Sequence, residues 1–208
     1  MMREDTTLMD NNPAHLSRRA ALAAVLGTAA LPIFGSRGRA QGDDRPPVFQ
    51  TAKRQFTVVR PSKQLPGVTL ADINGRPAQV APVPGKVLLI NIWASWCDAC
   101  RVDLPLLERF HKTGGRQVEI AAVSVDTDGR EHVKSYLEKL SVRALPVYLD
   151  QDGRLAGNAA KGAAPLLIYG MPLTYLITPS GRIAGYMAGV ADWLAPDAQQ
   201  LLAYYAAA

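Results

Sequence analysis

Leu89-Ile90-Asn91-Ile92-Trp93-Ala94-Ser95-Trp96-Cys97-Asp98-Ala99-Cys100 is the stretch on which the reading of this chain turns. Lys86 to Trp93 is an almost unbroken apolar run after Pro82, Pro84 and Gly85, the pattern of a buried strand. Beyond the cysteines, Leu104, Leu107 and Phe110 recur at helical spacing as far as about His111. Pro105 predicts a kink in that helix, and Gly114-Gly115 its end. The cysteine pair therefore stands where a buried strand hands over to a helix. Free N–H groups and the helix dipole at such a point favour a thiolate on Cys97. The two-residue spacing lets Cys100 reach back across one helical turn. Cys97 can then attack a substrate disulfide, and Cys100 can resolve the mixed disulfide that results. Cys97 is expected exposed at the tip and Cys100 more buried.

A pair with this spacing can also be half of a zinc site. There is no second pair, and the three histidines, His15, His111 and His132, offer no convincing ligand spacing. A structural disulfide without turnover is a further alternative. Two cysteines are too few for a disulfide scaffold. The 208 residues, 48% hydrophobic and 20% charged, suffice for one domain with an extension. The formal charge is +5, with no Lys/Arg block or interleaved aromatics to suggest nucleic acid. The basic balance is a mild bias toward acidic partners or an anionic membrane surface.

Residues 1–40 read as a bacterial export signal. Ser17-Arg18-Arg19 ends a basic region in a twin-Arg pair, Ala20 to Phe34 is an Ala- and Leu-rich apolar run, and Gly38-Arg39-Ala40 offers small residues for cleavage after Ala40. The pattern resembles a twin-arginine translocation signal, although the usual aromatic is Ala21 here. The run is short for a membrane span and contains Pro32; an uncleaved anchor is the alternative. Export would place the cysteines where disulfides persist and enzymes hold them oxidised. Residues 41–55, with Asp43-Asp44-Arg45-Pro46-Pro47, read as a linker, and residues 56–208 as the folded domain.

Within that domain, Phe56 to Val59 predicts a strand. Val68-Thr69-Leu70 and Ala78-Gln79-Val80 flank the turn signal Asn74-Gly75-Arg76, so a hairpin is expected. Val118 to Val125 reads as a second buried strand. Asp128 to Leu140 reads as an amphipathic helix with Val133, Tyr136, Leu137 and Leu140 on one face. Leu145 to Leu149 predicts a strand closed by Asp150-Gln151-Asp152-Gly153. Leu173 to Thr178 and Ile183 to Gly189 predict a hairpin through Pro179-Ser180-Gly181, followed by a helix from Asp192 to about Ala206. The alternation of strands and helices means an α/β layered domain with a mixed sheet.

The segment from Leu89 to Pro105 resembles the active-site stretch of the TlpA/ResA-like thioredoxins. The likeness continues in Leu65-Pro66, Leu70-Ala71-Asp72, Asn74-Gly75-Arg76 and Gly85-Lys86, and again in Gly170 to Ile177 and Gly181-Arg182-Ile183. It implies a thioredoxin fold: a mixed central sheet flanked by helices, with an N-terminal β-hairpin and a central α/β insertion spanning Val125 to Gly157. It implies an exported protein-disulfide reductase, often tied to cytochrome c maturation. It also implies roles residue by residue. Pro172 matches a cis-proline facing the cysteines, and Met171 before it would offer backbone groups to an extended substrate; the plainer alternative is a core Met with trans Pro172. Asp103 stands where ResA-like members carry an acid that moves protons to and from Cys100, or else is an acid favoured in a helix's first turn. Asn91 replaces the buried Asp of cytoplasmic thioredoxins. Trp96 is expected at an exposed rim and Trp93 in the core.

Asp98-Ala99 departs from the Gly-Pro or Glu-Pro common between such cysteines. A negative charge beside Cys97 disfavours its thiolate, which favours a reductant. The expected partners are protein disulfides or dithiols, with a membrane thiol donor supplying electrons. No bound cofactor is implied, because the dithiol is the redox group. A dithiol oxidase or isomerase, a Cu(I)-binding chaperone using Cys97, Cys100 and Met171, and a peroxidase of the peroxiredoxin type stay open as other readings.

Overall fold

The computed structural model describes residues 45–158 and 164–207. The export signal and the first residues of the expected linker lie outside them. Among the described residues no helix is long and apolar enough to cross a membrane.

An eight-stranded mixed sheet organises the domain. Its central strand, β4 (Val87–Trp93), is buried at every residue. It pairs in parallel with β5 (Val118–Ser124) from Val87↔Val118 to Trp93↔Ser124. On its other side it pairs antiparallel with β9 (Leu173–Ile177). Beyond β9 come β10 (Ile183–Ala188) and then β1 (Thr57–Val58); beyond β5 come β6 (Val147–Leu149) and the hairpin of β2 (Val68–Asp72) and β3 (Pro77–Val80). Successive strand residues point to opposite faces. Val87, Leu89 and Trp93 accordingly enter one core cluster, and Leu88, Ile90 and Ile92 the other. The first cluster holds the apolar faces of α1 (Asp98–Thr113), α2 (Arg130–Lys139) and α3 (Pro196–Ala206). The second is completed by a small parallel pair, β7 (Ala156–Gly157) with β8 (Leu166–Leu167).

The expected elements form, β1, α2 and β6 trimmed by a residue or two at their ends, with three larger differences. The final helix starts at Pro196 instead of Asp192. Residues 192–195 make a turn, with Ala195 N–H bonded to the Asp192 carbonyl and Asp192 Oδ1 accepting from Leu194 N–H; Pro196 then suits the first helical position. The insertion runs past Gly157, because β7 is completed only by β8. The linker is a correction from residue 45 onward: Phe49 is buried against Trp193, ring centroids 5.1 Å apart. Phe56 N–H bonds the Phe49 carbonyl, and Asp197 Oδ2 accepts from Gln50 N–H. One aromatic with a waiting pocket outweighs the extended bias of Pro46-Pro47. α1 continues through Pro105, whose missing N–H forfeits one helical bond.

Candidate active site

Trp93 ends β4 in the core, stacked on Tyr136 of α2 with ring centroids 5.8 Å apart. The chain then turns sharply: Cys97 N–H bonds the Ala94 carbonyl, with Ser95 and Trp96 at the bend. Cys97 is the N-cap of α1, and its Sγ accepts from Cys100 N–H at 3.1 Å. This is a helix N-terminal donor aimed at the Cys97 sulfur, and a donor so placed favours a thiolate. Cys97 and Cys100 form a disulfide with Cα atoms 5.2 Å apart. Cys100 is fully buried, as expected. Cys97 is only 8% exposed and is bonded to the buried Cys100 within the core cluster, so the expected exposed tip is corrected to a buried residue. Asp98 is exposed and its charge is met by Arg101 at 2.7 Å. That pairing weakens the repulsion of the thiolate expected from Asp98.

Asp103 is buried in the middle of α1, past the first turn, so a simple dipole role does not describe it. It lies one turn beyond Cys100 on the same helix face. Its Oδ2 accepts from Asn91 Nδ2 at 2.9 Å and its Oδ1 from Ala191 N–H at 3.0 Å. Burial pushes its carboxyl up to about 6, against the lowering effect of those two donors. Asn91 also donates to Thr174 Oγ1 at 2.9 Å, across the β4–β9 pair.

The Met171–Pro172 bond is cis, and Gly189 N–H bonds the Pro172 carbonyl. Pro172 is buried, while Met171 is half-buried against the cluster that holds both cysteines. Trp96 is 66% exposed beside the pair, and Tyr169 is 61% exposed just before the cis-proline. The structure thus brings Cys97, Cys100, Asp103 and Met171 to one face of the sheet and sets Trp96 at its rim.

The sequence reading missed a second group. Asp126, buried just after β5, holds the turn that carries Cys97: both its oxygens accept Ser95 N–H at 3.0 Å, Oδ1 accepts Ser95 Oγ at 2.6 Å, and Oδ2 accepts Ser124 Oγ at 2.7 Å. His132 Nε2 lies 2.9 Å from Ser95 Oγ. Potential ligand atoms of Asp126, Asp128 and His132 lie within 4.8 Å of one another. Asp126 is saturated by these donors, which suits a hydrogen-bond anchor better than a metal ligand. No local pattern marks these residues, since 31 and 37 positions separate Ser95 from its partners.

The Redoxin family model matches residues 60–202. The chain belongs to the Redoxin family. It is 36% identical over 150 residues to the thiol:disulfide interchange protein DsbE of Pseudomonas aeruginosa, covering 68% of this chain and 72% of that one. It is 30% identical over 125 residues to the thiol-disulfide oxidoreductase ResA of Bacillus subtilis, covering 60% of this chain and 65% of that one. A thioredoxin family thiol:disulfide interchange protein from Chlorobium tepidum superposes with a TM-score of 0.56 at 22% identity, over 71% of this chain and 99% of that one. That likeness shows the thioredoxin-like fold. This Redoxin member is a thiol–disulfide oxidoreductase of the ResA/DsbE type.

Proposed function

We propose that this Redoxin member is an exported, periplasmic reductase of protein disulfides that works through Cys97 and Cys100. The observation that supports it most is Cys97 at the N-cap of α1, with Cys100 N–H directed at its sulfur. In the reduced protein the Cys97 thiolate attacks a substrate disulfide; one substrate sulfur leaves as a thiolate, which water protonates, and the other stays bonded to Cys97. Cys100 then gives up its proton and attacks Cys97, releasing the second substrate thiol and closing the disulfide. Asp103, one turn away and with a carboxyl raised by burial to about 6, takes the Cys100 proton. Trp96 and the backbone of Met171, held by cis Pro172, receive the substrate as an extended segment. Residues 1–40 direct export, by the twin-arginine route, and the domain described from residue 45 carries the activity. A membrane thiol donor re-reduces the pair, and the dithiol needs no further cofactor. Substrates by analogy with the family are apocytochrome c or a copper-site protein whose cysteines must be reduced before metal loading.

The test is a redox titration of residues Gln41 to Ala208 in glutathione or dithiothreitol buffers, with thiol trapping. A potential below about −220 mV supports the reductant, whereas one near about −120 mV sinks it in favour of an oxidase. Cys100→Ser should accumulate a mixed disulfide on Cys97, read by mass spectrometry. Failure of the pair to cycle would move the Cu(I) reading forward.

A further inference from the structure

The turn that presents Cys97 is held from outside by the insertion. Asp126 takes both the N–H and the hydroxyl proton of Ser95, at 3.0 and 2.6 Å. A serine hydroxyl has one proton to give. Since it goes to Asp126, the 2.9 Å contact with His132 must be a donation from His132 Nε2–H into Ser95 Oγ. The direction of the string is therefore determined: His132 to Ser95 to Asp126. It joins α2, the β5–α2 connection and the turn closed by Cys97 N–H and the Ala94 carbonyl. Cys97, whose Sγ meets the Cys100 N–H donor, is the last residue of that turn.

We infer that His132, an exposed residue of α2, is a positioning residue for the attacking thiol, acting through Ser95 on the turn that seats Cys97 at the N-cap of α1. It touches no reacting atom. It gives the insertion a physical hold on the reactivity of the dithiol, so a partner that engages the exposed side of α2 competes for the same imidazole. This deepens the oxidoreductase reading and rests on Cys97 being the attacking thiol.

The test is the rate of Cys97 alkylation by iodoacetamide in the reduced protein at neutral pH, with the modified cysteine mapped by mass spectrometry. His132→Leu and Ser95→Ala should each slow Cys97 about fivefold, the worth of one net hydrogen bond. The double variant should be no slower than Ser95→Ala alone, because the two residues act in series. His132→Gln, which keeps an N–H donor at the reach of Nε2 but no titratable ring, should restore most of the rate. Nitrogen NMR of the unmutated protein at high pH should show the His132 proton on Nε2. A His132→Leu rate equal to the parent's, additive slowing in the double variant, or the proton on Nδ1 would each overturn the inference alone. Alkylation falling first on Cys100 in the parent would overturn the nucleophile assignment and this inference with it.

Discussion

Asn91 on β4 donates its side-chain N–H to Asp103 on α1 at 2.9 Å, and both side chains are buried. The second donor on the carboxylate is Ala191 N–H, so both oxygens of Asp103 face donors. Such surroundings favour the ionised acid, while burial favours the neutral one; burial prevails, and the carboxyl sits at about 6. Asn91 Oδ1 has no hydrogen-bond partner among the described residues. It is the acceptor that a protonated Asp103 could reach if the amide turned over.

Removing the Asn91 donor should therefore push Asp103 further up. Asn91→Ala is expected to raise its titration midpoint by roughly one to two pH units, the value of a hydrogen bond to a charged acceptor. Carbon NMR of the Asp103 carboxyl reads this directly. An unmoved midpoint would mean that Asn91 does not hold the charge.

Asp103 also makes stability depend on pH. Its folded-state value of about 6 lies above the ordinary 3.8, so the native state keeps a proton that the unfolded chain has lost. Its contribution is therefore complete below about pH 4 and lost as pH rises through about 6. Asp103→Asn does not titrate and serves as the reference. The parent's unfolding free energy, relative to that variant, should fall by about 3 kcal/mol between about pH 3.5 and about pH 7.5. A difference flat in pH, measured by urea unfolding, would show that Asp103 is not displaced from its ordinary range.

Glu108 gives the opposite sign. Burial raises its carboxyl, but Lys112 and the N–H groups of Arg143, Ala144 and Leu145 outweigh that and hold it below the ordinary carboxylate range. The stability it supplies is present above about pH 4.5 and lost as pH falls below that. Glu108→Ala leaves three N–H groups of the α2–β6 connection without their acceptor and should cost about 3 kcal/mol near neutral pH. The measurement is a urea midpoint at neutral pH; a loss under about 0.5 kcal/mol would mean that water replaces the carboxylate.

Arg101 shields Cys97 from Asp98 across an exposed pair. Exposed pairs are worth little, so Arg101→Ala should slow thiol alkylation only about twofold, and Asp98→Asn added to it should restore the rate. A faster reaction in Arg101→Ala would show that Asp98 does not oppose the thiolate.

Local periodicity carried most of this fold. The apolar run of β4 and the helical repeat of Leu104, Leu107 and Phe110 place the cysteines at a strand-to-helix junction. Pro172 was legible through resemblance, and its peptide bond is cis. Phe49 was not legible, since nothing near it in the chain announces Trp193.

The sequence by itself determined the chemistry: a dithiol on a helix N-terminus, where the backbone N–H of Cys100 meets the Cys97 sulfur. Only the tertiary structure decided how that dithiol is held and tuned. Burial of Asp103 requires the Ala191 loop and β4 to close over it, and Ser95 meets Asp126 and His132 only after β5 and α2 are in place. Those contacts join segments with no common periodicity, so they exist only where strand register and helix packing bring donors and acceptors within hydrogen-bond reach.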